Sequence, residues 1–204
     1  MSLKLHHLNA SRSQRLVWLL EELGLDHEII HYTRDSETNL APDTLLKVHP
    51  MGKSPLLEDD GVVIAETGAI AEFLMAKYDP DHKLHPRADD ADFPKYLEWV
   101  HAAEGAPFLP FLMTVYIRVA RAEGTDLDTR MGAEQVKAIS FINQHLSDNE
   151  YFGGSTFSAA DCLMGFGILF MSMRSDFGDY PAIKTWLDKV QARPAFQRML
   201  AVGI

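Results

Sequence analysis

Ser11-Arg12-Ser13-Gln14-Arg15 stands where a short alternating stretch, Leu3-Lys4-Leu5-His6, gives way to a strongly apolar run from Gln14 to Leu23. A hydroxyl at such a junction lies at the C-terminal end of the strand, the edge at which open α/β sheets bind ligands. It carries one proton and two lone pairs, so Ser11 can accept from the helix backbone and donate into a cleft. The anion that suits such a donor is a thiolate, because a free thiol has a pKa of about 8.5 and helix N-termini stabilise the ionised form. Lowering that pKa by about two units takes roughly 2.7 kcal/mol. In this scheme the thiol belongs to a substrate and Ser11 is not the nucleophile, since no His and Asp stand near it in a hydrolase pattern. The alternative role is capping: a serine followed three residues later by Gln14 is a capping box.

A second group lies in Met51-Gly52-Lys53-Ser54-Pro55-Leu56-Leu57, an Asp60-Gly61 turn, and Ala65-Glu66-Thr67-Gly68. Proline is tolerated in a strand only at its start or at an edge, so Pro55 marks a strand start. A cis Ser54-Pro55 bond would turn the Ser54 backbone outward, offering its N–H and C=O to an extended peptide. A trans proline in an ordinary turn is the plainer alternative. Thr67 at a helix start has unpaired amides and the positive end of the helix dipole, which attract a carboxylate, and Glu66 beside it suits an ammonium. An amino-acid terminus has both groups on one carbon. Simple capping of the helix to Tyr78 accounts for the same pair.

Other residues carry weaker signals. His27 and His31 are four apart but in strand-like sequence, where that spacing does not pair metal ligands as it does on a helix. His82 and His85 read as solvated, and Glu21-Glu22 as a solvated helix face. Cys162 sits in an apolar run from Cys162 to Met173, where burial raises a thiol pKa and makes it inert. Phe108, Phe111, Met113 and Tyr116 can line an apolar pocket, or serve as core or subunit interface.

These residues need elements to position them. Strand Leu3–His6, helix Gln14–Leu23 ended by Gly24, and strand His27–Tyr32 form a βαβ unit. Pro42–Val48 reads as a short helix or turn, Pro55–Glu58 and Val62–Ile64 as a hairpin across Asp60-Gly61, and Glu66–Tyr78 as a closing helix. Residues 79–90 are polar and broken by prolines, a linker signature. Beyond it the periodicity is helical over Phe93–Ala103, Phe108–Glu123, Thr129–Leu146, Ser158–Met173 and Ile183–Ala192. Ser158-Ala159-Ala160-Asp161 heads the buried helix as a capping box. The boundaries drawn are therefore 1–79, a linker 80–90, and a helical domain 91–204.

The chain has 204 residues, 47% hydrophobic and 24% charged, as in an ordinary globular protein. A net charge of −10 would repel a nucleic-acid backbone or an anionic membrane. No signal-peptide pattern opens the sequence and no apolar run is long enough to span a bilayer, so a cytoplasmic protein is expected.

With its motifs in this order, the whole chain resembles a cytosolic glutathione S-transferase of the serine-type bacterial and fungal kind. Ser11–Gly24 looks like the family's first-helix segment, His49-Pro50-Met51-Gly52-Lys53-Ser54-Pro55 like the segment before its cis-proline, and Glu66-Thr67 like its acid-hydroxyl pair. Ser158–Asp161 matches the capping box of its central C-terminal helix. The resemblance implies an N-terminal thioredoxin-like domain of βαβ-ββα order with a mixed four-stranded sheet, an all-helical C-terminal domain, and a homodimer. It implies glutathione as cosubstrate, with no metal or redox cofactor. Ser11 would then activate the thiol, Ser54 pair with the cysteinyl backbone beside Pro55, Glu66 and Thr67 hold the γ-glutamyl end, and Lys53 face the glycyl carboxylate. His49 replaces the usual asparagine, and Thr38-Asn39-Leu40 has no cation, leaving Asn39 as the substitute. The expected reaction is addition of the sulfur to an electrophile held by Phe108, Phe111 and Tyr116. Peroxide reduction, or a non-catalytic binding module, are the alternatives.

Overall fold

The structure, a computed structural model, describes residues 3–173 and 177–203. The chain divides into two compact units: residues up to His85 together with those from Gln191 onward, and Pro86–Val190.

In the first unit, β1 (Leu3–Leu8) has buried residues at all but one position, the pattern of a central strand. It pairs in parallel with β2 (Glu28–Tyr32), and α1 (Ser13–Leu23) supplies the crossover that a parallel pair requires. Gly24 ends α1 at φ +64°, where a residue without Cβ is at ease, and its N–H caps the last turn. On its other side β1 pairs antiparallel with β3 (Leu56–Asp59), which continues into β4 (Val62–Ala65). The turn between them has Asp60 at φ +47° and Gly61 at φ +87°, the two positive values a tight hairpin turn needs. The sheet order is β2-β1-β3-β4, a mixed four-stranded sheet. A 3₁₀ turn over Asp43–Lys47 and α2 (Thr67–Tyr78) complete the βαβ-ββα order of a thioredoxin-like domain. The end of α2 is tied to β3 through Asp59, whose buried carboxylate accepts from Lys77 at 2.6 Å and the Tyr78 hydroxyl at 2.9 Å.

Helix α1 is buried almost all round, from Ser13 to Leu20. Beyond β1 and α2, its cover is a helix that no sequence pattern identified, labelled α8 below (Pro194–Val202). Trp18 meets Phe196 edge-on with ring centres 4.8 Å apart. Glu21 and Glu22 are accordingly not a solvated face. The Glu22 carboxylate accepts a two-pronged bond from Arg193 at 2.6 and 2.7 Å and a third from Trp18 Nε1 at 2.9 Å, and Glu21 pairs with Arg198. His82 and His85 also depart from the solvated reading. Their rings lie 4.3 Å apart, and His85 Nδ1 bonds the buried Asp79 carboxylate at 2.8 Å, which ties the end of this segment to the end of α2.

The second unit is helical among its described residues: α3 (Phe93–Ala102), α4 (Leu109–Val119), α5 (Asp126–Asp148), α6 (Ala159–Ser172) and α7 (Pro181–Gln191), followed by α8 in the first unit. The expected capping box opens α6, with Ser158 N–H donating to Asp161 at 2.9 Å. Asp161 does more than cap. Fully buried, it also accepts from Phe152 N–H at 3.0 Å and Trp186 Nε1 at 2.8 Å, joining the loop before α6 to α7.

Candidate functional site

The strand register brings the singled-out residues of the first unit to one end of the sheet. β1 ends at Leu8 and leads to Ser11; Ser54-Pro55 immediately precedes Leu56, which lies opposite His6; and Glu66 follows Ala65, which lies opposite Leu56. The β2 exit joins them, because Asn9 N–H extends the ladder to Tyr32 C=O at 3.2 Å.

Ser11 does not form the box that its spacing to Gln14 suggests. Gln14 is buried and its amide donates to Gly203 C=O at 3.1 Å instead. The Ser11 hydroxyl, 6% exposed, accepts Ser13 N–H at 3.3 Å and lies 2.8 Å from Ser13 Oγ. Ser13 Oγ lies in turn 2.8 Å from His7 Nδ1 and 3.3 Å from Leu8 N–H. His7 is buried, and burial, with the neighbouring His31 ring, pulls its pKa down to about 4, so it is neutral near pH 7.

Ser54-Pro55 is cis. By the β1–β3 register the residue opposite Leu8 would be Ser54, yet here the ladder is closed by the side chain: Ser54 Oγ donates to His6 C=O at 2.8 Å and accepts Leu8 N–H at 3.2 Å. Ser13 and Ser54 thus share the Leu8 N–H. Pro55 is buried, whereas Lys53 is exposed.

Neither Glu66 nor Thr67 caps α2 through its side chain. Glu66 is exposed at φ +71°, a strained value for a residue with a Cβ, and its C=O receives the first helical bond, from Ile70 N–H at 2.9 Å. Thr67 is buried at the first helical position, where amides lack intrahelical partners.

The residue that local sequence does not reveal is Arg34. Its guanidinium donates to Asn9 C=O at 3.1 Å, Ala10 C=O at 3.2 Å and Asn39 C=O at 3.1 Å, stapling the Ser11 loop to the loop that carries Asn39. Asn39 itself is exposed at φ +59°. Burial and the nearby Arg12 charge both push the Arg34 pKa down, placing two cations beside this loop. The region around Asn39 therefore has the cation that Thr38-Asn39-Leu40 lacks.

In the second unit Phe108 and Phe111 are buried, with Phe108 against Phe166 and Phe170, and Tyr116 is 58% exposed. A cavity of about 480 Å³ opens between α3, the Gly105-Ala106-Pro107 segment and α5; Phe108, Phe111 and Tyr116 are not among its walls. Cys162 is fully buried. Among the described residues no cluster of His, Cys, Asp or Glu could hold a metal, and no helix is long and apolar enough to cross a membrane.

Comparison with known proteins matches residues 1–76 to the family model described as Glutathione S-transferase, N-terminal domain, and residues 109–194 to Glutathione S-transferase, C-terminal domain. Glutathione S-transferase 3 of Schizosaccharomyces pombe is 38% identical, over 94% of this chain and 84% of that protein. Glutathione S-transferase 1 of Saccharomyces cerevisiae is 31% identical, over 95% and 92%. A solved glutathione S-transferase of Actinobacillus pleuropneumoniae superposes with a TM-score of 0.88 at 29% identity, over 97% of this chain and 90% of that one. A glutathione transferase of Phanerochaete chrysosporium, solved with oxidized glutathione, gives 0.80 at 26% identity, over 98% and 93%.

Proposed function

The chain belongs to the glutathione S-transferase family, and from that premise we propose that it binds glutathione, ionises its thiol at Ser11 and adds the sulfur to an apolar electrophile. The observation that carries this reading is the state of Ser11: a buried hydroxyl at the head of α1 that accepts from Ser13 N–H and is not consumed in a capping box. A charge-assisted O–H···S⁻ bond contributes about 1.5–3 kcal/mol. With about 0.3–1 kcal/mol from the helix end, that matches the roughly 2.7 kcal/mol a two-unit fall in thiol pKa needs.

The rest of the tripeptide has matching groups at the same end of the sheet. Ser54, its side chain occupied in closing the ladder, presents its backbone beside Pro55 for the cysteinyl unit, as an added strand would require. Thr67 and the open α2 amides take the γ-glutamyl carboxylate, and Glu66 takes the ammonium. The φ strain at Glu66 supports this, because the fold holds that residue in a costly conformation without using its side chain as a cap. Lys53 and Asn39, with the positive field of Arg34, serve the glycyl carboxylate. The unit of residues up to His85 with those from Gln191 onward then binds glutathione, in place of the expected 1–79, and the helical unit Pro86–Val190, in place of 91–204, receives the electrophile, with Phe108, Phe111 and Tyr116 as the candidate residues for it. The protein works as a cytoplasmic homodimer of the serine type.

The test is turnover with an aryl halide alongside calorimetric binding of glutathione. Ser11→Ala removes most turnover and leaves binding within a few-fold. An alanine variant that conjugates as fast as the parent refutes the role of Ser11, and absence of binding at millimolar glutathione refutes the whole reading.

A further inference from the structure

We propose that His7, acting through Ser13, sets the direction in which the Ser11 hydroxyl points its proton, a positioning role that rests on the function given to Ser11 above. His7 Nδ1, Ser13 Oγ and Ser11 Oγ form a continuous chain with links of 2.8 Å and 2.8 Å. All three residues are buried, at 2%, 0% and 6% exposure. Each hydroxyl has a single proton, so the chain can run in one of two senses.

In the outward sense, His7 carries its proton on Nδ1 and donates to Ser13 Oγ. Ser13 then places its own proton on Ser11 Oγ, at 2.8 Å, in preference to the Leu8 C=O at 3.3 Å. Ser11 Oγ thereby receives two donors, Ser13 O–H and Ser13 N–H, which fill both lone pairs. Its proton is left to point away from the protein interior, where an anionic sulfur can accept it. In the inward sense, Nδ1 presents a lone pair, Ser13 donates to His7, Ser11 donates to Ser13, and the sulfur finds an oxygen without a proton. A negative charge on the ligand selects the outward sense, and donors in series polarise one another so that the last is strengthened. Because the chain is fixed before the ligand arrives, little reorganisation is needed when the thiolate forms. Among titratable groups, His31 of β2 faces the ring, its ring centre 5.5 Å away and edge-on. Burial, with the His31 ring beside it, keeps His7 in its neutral form.

The test compares His7→Phe, His7→Asn and Ser13→Ala with the parent in two measurements. One is the ionisation midpoint of glutathione bound to the protein, read from the ultraviolet absorbance of its thiolate. The other is the split between kcat and the glutathione KM with 1-chloro-2,4-dinitrobenzene as electrophile. In His7→Phe and Ser13→Ala the midpoint rises by about one unit and kcat near neutral pH falls about tenfold, with KM within about twofold. His7→Asn, whose amide N–H replaces the Nδ1 donor, recovers most of both. In a Ser11→Ala background the His7→Phe change has no further effect, because the chain then ends on a methyl group. Parental midpoint and kcat in folded His7→Phe overturn the proposal, as does an undiminished extra loss from His7→Phe in the Ser11→Ala background. Where His7→Phe does not fold, Ser13→Ala decides alone: parental values in that variant overturn the proposal, and a raised midpoint with kcat reduced supports it. Failure of the underlying reading is separately visible: Ser11→Ala itself then keeps the parental midpoint and turnover, which removes both roles.

Discussion

Acidification tests the burial of His7 directly. Unfolded, His7 binds its proton below about pH 6.5, whereas in the folded protein burial and the nearby His31 hold the ring neutral until about pH 4. Between those values the unfolded chain carries the extra proton, so stability rises with pH through the window and is lost as the pH falls. The full shift is worth about 3 kcal/mol, of which about 2 kcal/mol is spent between roughly pH 7 and pH 4.5. That is a large share of the roughly 5–15 kcal/mol by which a domain is stable. Burial also lowers the pKa of His6 and His145, so they act in the same direction, and a comparison must isolate His7. His7→Asn does so, since an amide does not titrate. Urea unfolding of the parent and His7→Asn at the two pH values is expected to show the parent losing about 2 kcal/mol more. Equal losses in the two proteins would refute the buried, neutral His7.

Three further outcomes follow from single contacts. Glu22→Gln leaves Arg193 without its carboxylate, which is expected to destabilise α8 by about 2 kcal/mol; hydrogen exchange should quicken in α8 and α1 and stay unchanged in α5. Asp161→Ala strands four buried donors, Phe152 N–H, Ser158 N–H, Ser158 Oγ–H and Trp186 Nε1–H, at a cost of at least about 3 kcal/mol, read as a lowered thermal midpoint. Glu66→Gly relieves the positive φ and removes the ammonium partner together: stability is expected to rise by about 1 kcal/mol while glutathione binding weakens about tenfold, measured by urea unfolding and calorimetry.

What the sequence disclosed was local. The strand at Leu3–His6, Gly24 after an apolar run, Asp60-Gly61 between two β-rich stretches and the Ser158–Asp161 box each stand in the structure, although β1 is buried at every position but Lys4 and so does not alternate. What stayed hidden depends on distant partners. Gln14 fits a capping box by spacing, but a carbonyl 189 residues away takes its amide. Glu22 has the composition of a solvated face until Arg193 arrives at the N-cap of a nine-residue helix too short for its periodicity to stand out. Arg34 reaches the Ser11 loop across 25 residues, and nothing near it in sequence announces that. In the candidate site, the hydroxyl at a strand end, the proline and the acid-threonine pair were legible as residue types. The chain from His7 through Ser13 was not, because β-strand alternation says only that His7 faces one side of the sheet, and α1 decides what it meets there.

In the proposed function, one side-chain hydroxyl, that of Ser11, acidifies the sulfur of bound glutathione. An ultraviolet pH titration of that sulfur, bound to the parent and to Ser11→Ala at saturating glutathione, tests it most directly. The expected midpoint in the parent lies about two units below the value of roughly 8.5 for a free thiol, with most of that shift lost in the variant. Coincident titration curves for the two proteins would contradict it.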